Sequence, residues 1–116
     1  KVVRKGDKLL PCAGALAELH SEIGGKVLMA GKPFEPIYDL AMRMAGEAAG
    51  RPVMRFEVLA LGDGIDTDIK GATDFGIDAV LVAGGINEGG VELEAKARAK
   101  VPRARIVATQ ADIKWV

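Results

Sequence analysis

The sequence predicts an α/β fold built on a parallel β-sheet, and three observations carry that expectation. Three short apolar runs, VLMA at 27–30, VLAL at 58–61 and AVLVA at 79–83, are continuous rather than alternating, as in strands covered on both faces. Segments with helical spacing separate these runs. Each run also ends in glycine, at Gly31, Gly62 and the Gly84-Gly85 pair, which lets backbone approach whatever binds at the strands' carboxyl ends.

The elements follow in order. Residues 1–11 read as two extended pieces around Gly6-Asp7, a hairpin or an approach strand. Residues 13–23 place Leu16, Leu19 and Ile23 on one helical face, and Gly24-Gly25 is the expected stop. The run at 27–30 is the first expected sheet strand. After it, Ile37, Leu40, Ala41, Met44 and Ala48 recur at amphipathic spacing, with Pro33 and Pro36 at the start and Gly50 at the end. The 58–61 strand leads to a short helix over about 67–75, with Ile69 and Ala72 inward. The 79–83 strand precedes a helix over about 91–100 whose Glu92, Glu94, Lys96, Arg98 and Lys100 require solvent. The tail, 105–116, can add one more strand. Strands alternating with helices imply right-handed crossovers.

Composition narrows the function. The 116 residues suit one domain. Sixteen basic and sixteen acidic residues cancel, which argues against bulk attraction to nucleic acid or to a membrane surface. The aromatic residues Phe34, Tyr38, Phe56, Phe75 and Trp115 are too few for base-stacking platforms. Cys12 has no partner for an internal disulfide and fits a reducing cytoplasm. No apolar run approaches the ~20 residues that span a bilayer. The chain begins at Lys1 without a signal-peptide pattern and is expected to be a piece of a longer protein.

The chemistry concentrates in GDGIDTD at 62–68. Asp63 follows the strand directly, while Asp66 and Asp68 open the next helix, whose N–H groups favour negative charge. Hard cations such as Mg²⁺ take one or two carboxylates plus water and a phosphate oxygen. The plainer alternative is that Asp66 or Thr67 caps the helix and Asp63 is a loop residue. The spacing does not fit an EF-hand. Lys32, in Gly31-Lys32-Pro33, stands between a strand and a helix and can reach the same rim as a compact positive charge, or be a solvated loop lysine. AGGINEGG at 83–90 lacks P-loop and GxGxxG spacing and reads as a rim loop. His20 has no partner at ligand spacing, and Cys12 reads as inert core.

The GKP loop, amphipathic helix, strand and GDGIDTDIKGA together resemble the C-terminal half of a haloacid dehalogenase-like (HAD) hydrolase, more narrowly subclass IIA, the p-nitrophenylphosphatase-like and N-acetylglucosamine-phosphatase-like group. PCAGALAELHSEIGG at 11–25 resembles that group's return from cap to core. The resemblance implies a three-layer, parallel-sheet, Rossmann-like core of which this chain is the C-terminal portion. Residues 1–11 would be the cap-to-core return and 12–116 the α/β core. It implies a cytoplasmic phosphatase that passes a phosphoryl group to an aspartate and then to water, with Mg²⁺ as cofactor and a small phosphorylated metabolite as substrate. Lys32 would neutralise nucleophile and phosphate, Asp63 would hold Mg²⁺ directly or through water, and Asp68 would orient metal waters or the lysine. Asp66 falls between the family's two acids and is not a direct ligand. Gly64 stands where several members carry a polar residue.

Other parts of the pattern are absent. The family's nucleophile belongs to a DxDGT-like motif, and none of Asp7, Asp39, Asp63, Asp66, Asp68, Asp74, Asp78 or Asp112 begins one. That segment also supplies the central strand beside the one ending at Asp63, so strand edges are expected to be exposed, and the expected partner is the missing N-terminal half. A homo-oligomer is compatible with this. The competing reading is a non-catalytic α/β module that holds a nucleotide or cation at the same rim. A response-regulator receiver fits poorly, because there the acids precede the lysine, whereas Lys32 precedes Asp63.

Overall fold

In a computed structural model of the chain, residues 2–5, 7–84 and 90–113 are described. Gly6 of the hairpin turn, most of the 83–90 rim loop including Gly85, and Trp115 lie outside the described residues. Strands β1 (Val2–Lys5) and β2 (Lys8–Pro11) pair antiparallel, Val2 opposite Pro11 and Lys5 opposite Lys8, so the opening segment is a hairpin. Helix α1 (Ala13–Glu22) follows, then helix α2 (Glu35–Ala49). Gly50 stops α2 in the left-handed region at φ 65°, where a side chain is strained.

The sheet consists of β3 (Leu59–Gly62), β4 (Asp78–Val82) and β5 (Ile106–Gln110), parallel and in that order. Leu59 pairs with Asp78 and Gly62 with Leu81, and Ala79 pairs with Ile106 and Val82 with Gln110. Between β3 and β4 run a wide π-type turn (Ile65–Ile69) and helix α3 (Lys70–Phe75), and α4 (Gly90–Lys100) joins β4 to β5. This is the alternating α/β arrangement expected, and the tail does add a parallel strand.

Ile69 and Leu81 are fully buried at the centre of the core, where Ala72, Phe75, Leu93 and Ala97 bring α3 and α4 onto the sheet. Burying side chains of that size contributes about 1.5–3 kcal/mol each. Ile69 and Ala72 face inward as their spacing suggests, and α4 buries only Leu93 and Ala97.

Three expectations are corrected. Residues 27–30 form no strand, and Leu28 is 100% exposed. A strand exists only through its ladder, and no described residue pairs with this segment; an apolar run signals burial, not a hydrogen-bonding neighbour. Second, α2 turns Tyr38 and Met42 toward the core, leaving Ile37, Leu40 and Met44 exposed. The helix has apolar residues on more than one side, and the position of Phe75 and the sheet selects the face that packs. Third, α1 buries none of its residues, so its Leu16 and Leu19 stay in solvent together with Ile23 just beyond its end. On β3, Leu59 and Leu61 are also exposed, since this strand ends the sheet.

Candidate functional site

The rim at the carboxyl end of β3 is shaped by backbone geometry. Asp63 leaves the strand and Gly64 begins the wide turn, in which the N–H groups of Asp68 and Ile69 both donate to the Gly64 carbonyl, at 2.8 and 3.1 Å. This folds the Asp68 side chain back over the strand end. There the Gly64 N–H donates to Asp68 Oδ2 at 3.0 Å. Gly62 makes room: a methyl group on it would stand 2.3 Å from Asp68 Cγ. A side chain at Gly64 would instead meet Thr67 Oγ1 at 2.2 Å, so a polar residue at that position requires Thr67 to move.

Asp68 is only 8% exposed, and a buried carboxylate is costly unless paired. Lys32 supplies the pair: its Nζ donates to Asp68 Oδ1 at 2.5 Å across 36 positions of sequence. That hydrogen bond is the main reason the Lys32 ammonium holds its proton above the ordinary lysine value; partial burial opposes the shift, and the Asp63 charge adds to it. Lys32 precedes a cis peptide to Pro33. The sequence thus named two residues, Lys32 and Asp68, that the fold joins directly, and a third, Asp63, whose charge Lys32 feels.

Asp66 points elsewhere, to Lys100 of α4 at 2.6 Å in an exposed pair of little energetic weight. His20 is exposed and lies against Gly25. Cys12 is a correction: it is half-buried at the N-terminus of α1 rather than in the core, and the Gly14 N–H, first among several contacts, holds its thiol below the usual cysteine range.

Sequence reading passed over Tyr38. With Lys32 and Asp68 it lines one crevice, floored by Ala41, Val58 and Ala60. Its ring stacks on Phe75 at 5.2 Å between centroids, and the Arg55 guanidinium lies 4.1 Å over the Phe75 ring. Burial first, then the Asp68 charge, raises the Tyr38 phenol above its ordinary value, with Lys32 opposing, so it is a neutral hydroxyl near pH 7. The signal in the sequence was its helical position beside Met42, concealed by the more apolar stripe of Ile37, Leu40 and Met44.

The donor set can be weighed against a divalent cation. Both Asp68 oxygens accept, from Lys32 and from Gly64, and each keeps a further lone pair. Among the described residues no three acid, histidine or cysteine side chains converge. Asp63 with one neighbouring carboxylate fits a hard cation that completes its shell with water and a phosphate oxygen, and does not fit an all-protein cage.

Comparison with known proteins gives the family and the fold. The family model for HAD-hydrolase-like proteins matches residues 29–110. Similar solved structures include a haloacid dehalogenase-like hydrolase from Brucella suis 1330, 45% identical, covering 73% of this chain and 33% of its own, with a TM-score of 0.61. A p-nitrophenyl phosphatase from Archaeoglobus fulgidus is 23% identical over 97% of this chain and 40% of its own, with a TM-score of 0.71. A thermostable NPPase double mutant from Geobacillus stearothermophilus is 24% identical over 99% of this chain and 41% of its own, with a TM-score of 0.70. The chain therefore spans 33% to 41% of the length of these proteins, and the last two show the fold alone. No curated protein matches the chain. The family match takes in the loop of Lys32, the turn of Asp63 and Asp68, and all three strands of the parallel sheet, and on that ground the chain belongs to the HAD-hydrolase-like family.

Proposed function

We propose that this chain is the C-terminal core portion of a Mg²⁺-dependent phosphatase that acts on a small phosphorylated metabolite through an aspartyl-phosphate. The observation that carries the reading is the Lys32–Asp68 pair, seated at the carboxyl end of β3 beside Asp63. Phosphoryl transfer requires dispersed positive charge held in place before the reaction, and an ammonium fixed by a buried carboxylate meets that need.

In this reading Lys32 binds and orients the phosphoryl group and offsets its charge against an incoming carboxylate. Asp68 holds Lys32 in place and keeps it protonated. Asp63 is the carboxylate for the cation, with Asp68 contributing through water. When bound, Mg²⁺ would screen and polarise the phosphate. The nucleophilic aspartate comes from a preceding segment, the partner that also covers the exposed edge of β3. Residues 1–11 are the return from a cap, and a cytoplasmic location suits the single cysteine.

The test joins this chain to a segment carrying the nucleophile and follows hydrolysis of an aryl phosphate with Mg²⁺. Asp63→Asn is expected to reduce turnover to background, and Asp68→Asn to lower it by about 10–100-fold, as for residues that orient metal or substrate partners. The 116-residue chain alone is expected to show no turnover. Full activity in the Asp63→Asn variant, or turnover by the isolated chain, would overturn the assignment.

A further inference from the structure

We propose that Tyr38 is the positioning residue of the Lys32–Asp68 pair, holding the lysine's loop and the acid's turn in register through its seat on Gly71. The role follows from how weakly the lysine is held otherwise. Lys32 enters from a stretch with no strand pairing, its side chain is 55% exposed, and a long flexible side chain of that kind does not keep one direction unaided. Among the described residues, the backbone bond that ties this loop to itself runs from the Phe34 N–H to the Gly31 carbonyl at 3.0 Å.

Tyr38 lies in the first turns of α2, a few residues beyond Lys32. Its counterpart Gly71 lies near the start of α3, three residues beyond Asp68. At Gly71 a methyl group would stand 2.1 Å from the Tyr38 hydroxyl oxygen and 2.8 Å from Cζ, so the phenol rests directly on α3 backbone. Glycine inside a helix is unfavourable, and the contact with Tyr38 accounts for its presence here. The ring also stacks on Phe75, one turn further along α3, so two residues of that helix hold it. One side chain therefore sets the distance between the element that delivers the ammonium and the element that delivers the carboxylate. Ordinary helix packing needs only an aliphatic residue at 38. The phenol instead sits where its ring walls the crevice shared by Lys32 and Asp68.

The proposal gains a place in turnover only if Lys32 serves the phosphate as read above, but its test is independent of that. In the 116-residue chain labelled with ¹⁵N-lysine and free of phosphate, the Lys32 ammonium is expected to show an order parameter well above those of exposed Lys26 and Lys96. Asp68→Asn should lower it to their level. Tyr38→Leu, and separately Gly71→Ala, should lower it most of the way to the Asp68→Asn value, while Tyr38→Phe keeps it near wild type. Methyl spectra of Ile69 and Leu81 report whether each variant is folded, and if one of the two loosening variants does not fold, the other decides. A Lys32 ammonium as ordered as wild type in a folded Tyr38→Leu or Gly71→Ala variant overturns the proposal. A failed phosphatase assay leaves it standing.

Discussion

Asp68 shows what a single residue must satisfy to be charged inside this fold. Its two oxygens accept from a backbone N–H and from an ammonium, and Gly62 beneath it leaves the space it occupies. At the opposite extreme, Glu57 is an exposed acid whose setting is purely local. Arg51 donates to both of its oxygens and the Met54 N–H to one, which lowers its carboxyl to about 2, chiefly through the Arg51 hydrogen bonds. A depressed carboxylate contributes stability above its unfolded value, about 4.3, and loses it as pH falls through the folded value. The window is therefore between about 4.3 and about 2, and the exposed pair is screened, so the effect on folding is small. Titration of Glu57 by carbon-detected NMR is expected to give a midpoint near 2, moving back toward the ordinary glutamate value in Arg51→Ala. An unmoved midpoint in that variant would show that Arg51 is not the cause.

At the scale of elements, the helices divide into those that the core needs and those that it does not. α3 and α4 are short but place Ala72, Phe75, Leu93 and Ala97 on the sheet, whereas α1 buries nothing. Leu81→Ala on β4 and Ile69→Ala at the end of the wide turn should each cost about 2–5 kcal/mol, because each removes a fully buried side chain. Leu19→Ala and Ile23→Ala should stay within about 0.5 kcal/mol. Urea unfolding of the four variants checks the contrast, and equal losses would mean that α1 packs in solution where it is exposed here.

Considered as a whole molecule, the chain is more open than its length requires. Its radius of gyration is 16.0 Å, against about 13 Å for a compact domain of roughly this size. The excess goes with apolar side chains left in solvent: Leu28 ahead of the lysine loop, Ile37, Leu40 and Met44 on α2, and Leu59 and Leu61 on the edge strand. Surface of this kind binds other surface. The isolated chain is expected to self-associate as concentration rises and to bind a hydrophobic dye, and Leu28→Lys with Met44→Lys should reduce both. Sedimentation velocity across a hundredfold concentration range would settle it; a monomer throughout, without dye binding, would show that the apolar surface is inert. Among the described residues no helix is long and apolar enough to cross a membrane.

The sequence by itself determined the parts that depend on local pattern and on the order of residues. Apolar runs and glycine stops located β3 and β4, the tail was open to one more strand, which is β5, and the order of GKP before GDGIDTD pointed to one rim before any contact was visible. Only the tertiary structure decided what depends on neighbours. VLMA at 27–30 has the composition of a strand, but no described residue pairs with it, so it is not one. α2 carries apolar residues on several sides, and the position of Phe75 and the sheet made Tyr38 and Met42, not Ile37 and Leu40, the packing face. The joining of Lys32 to Asp68, and the seat of Tyr38 on Gly71, required the chain to close distances that no periodicity encodes. A strand, a packing face and an ion pair are each relations between two segments, and a linear pattern describes one segment at a time.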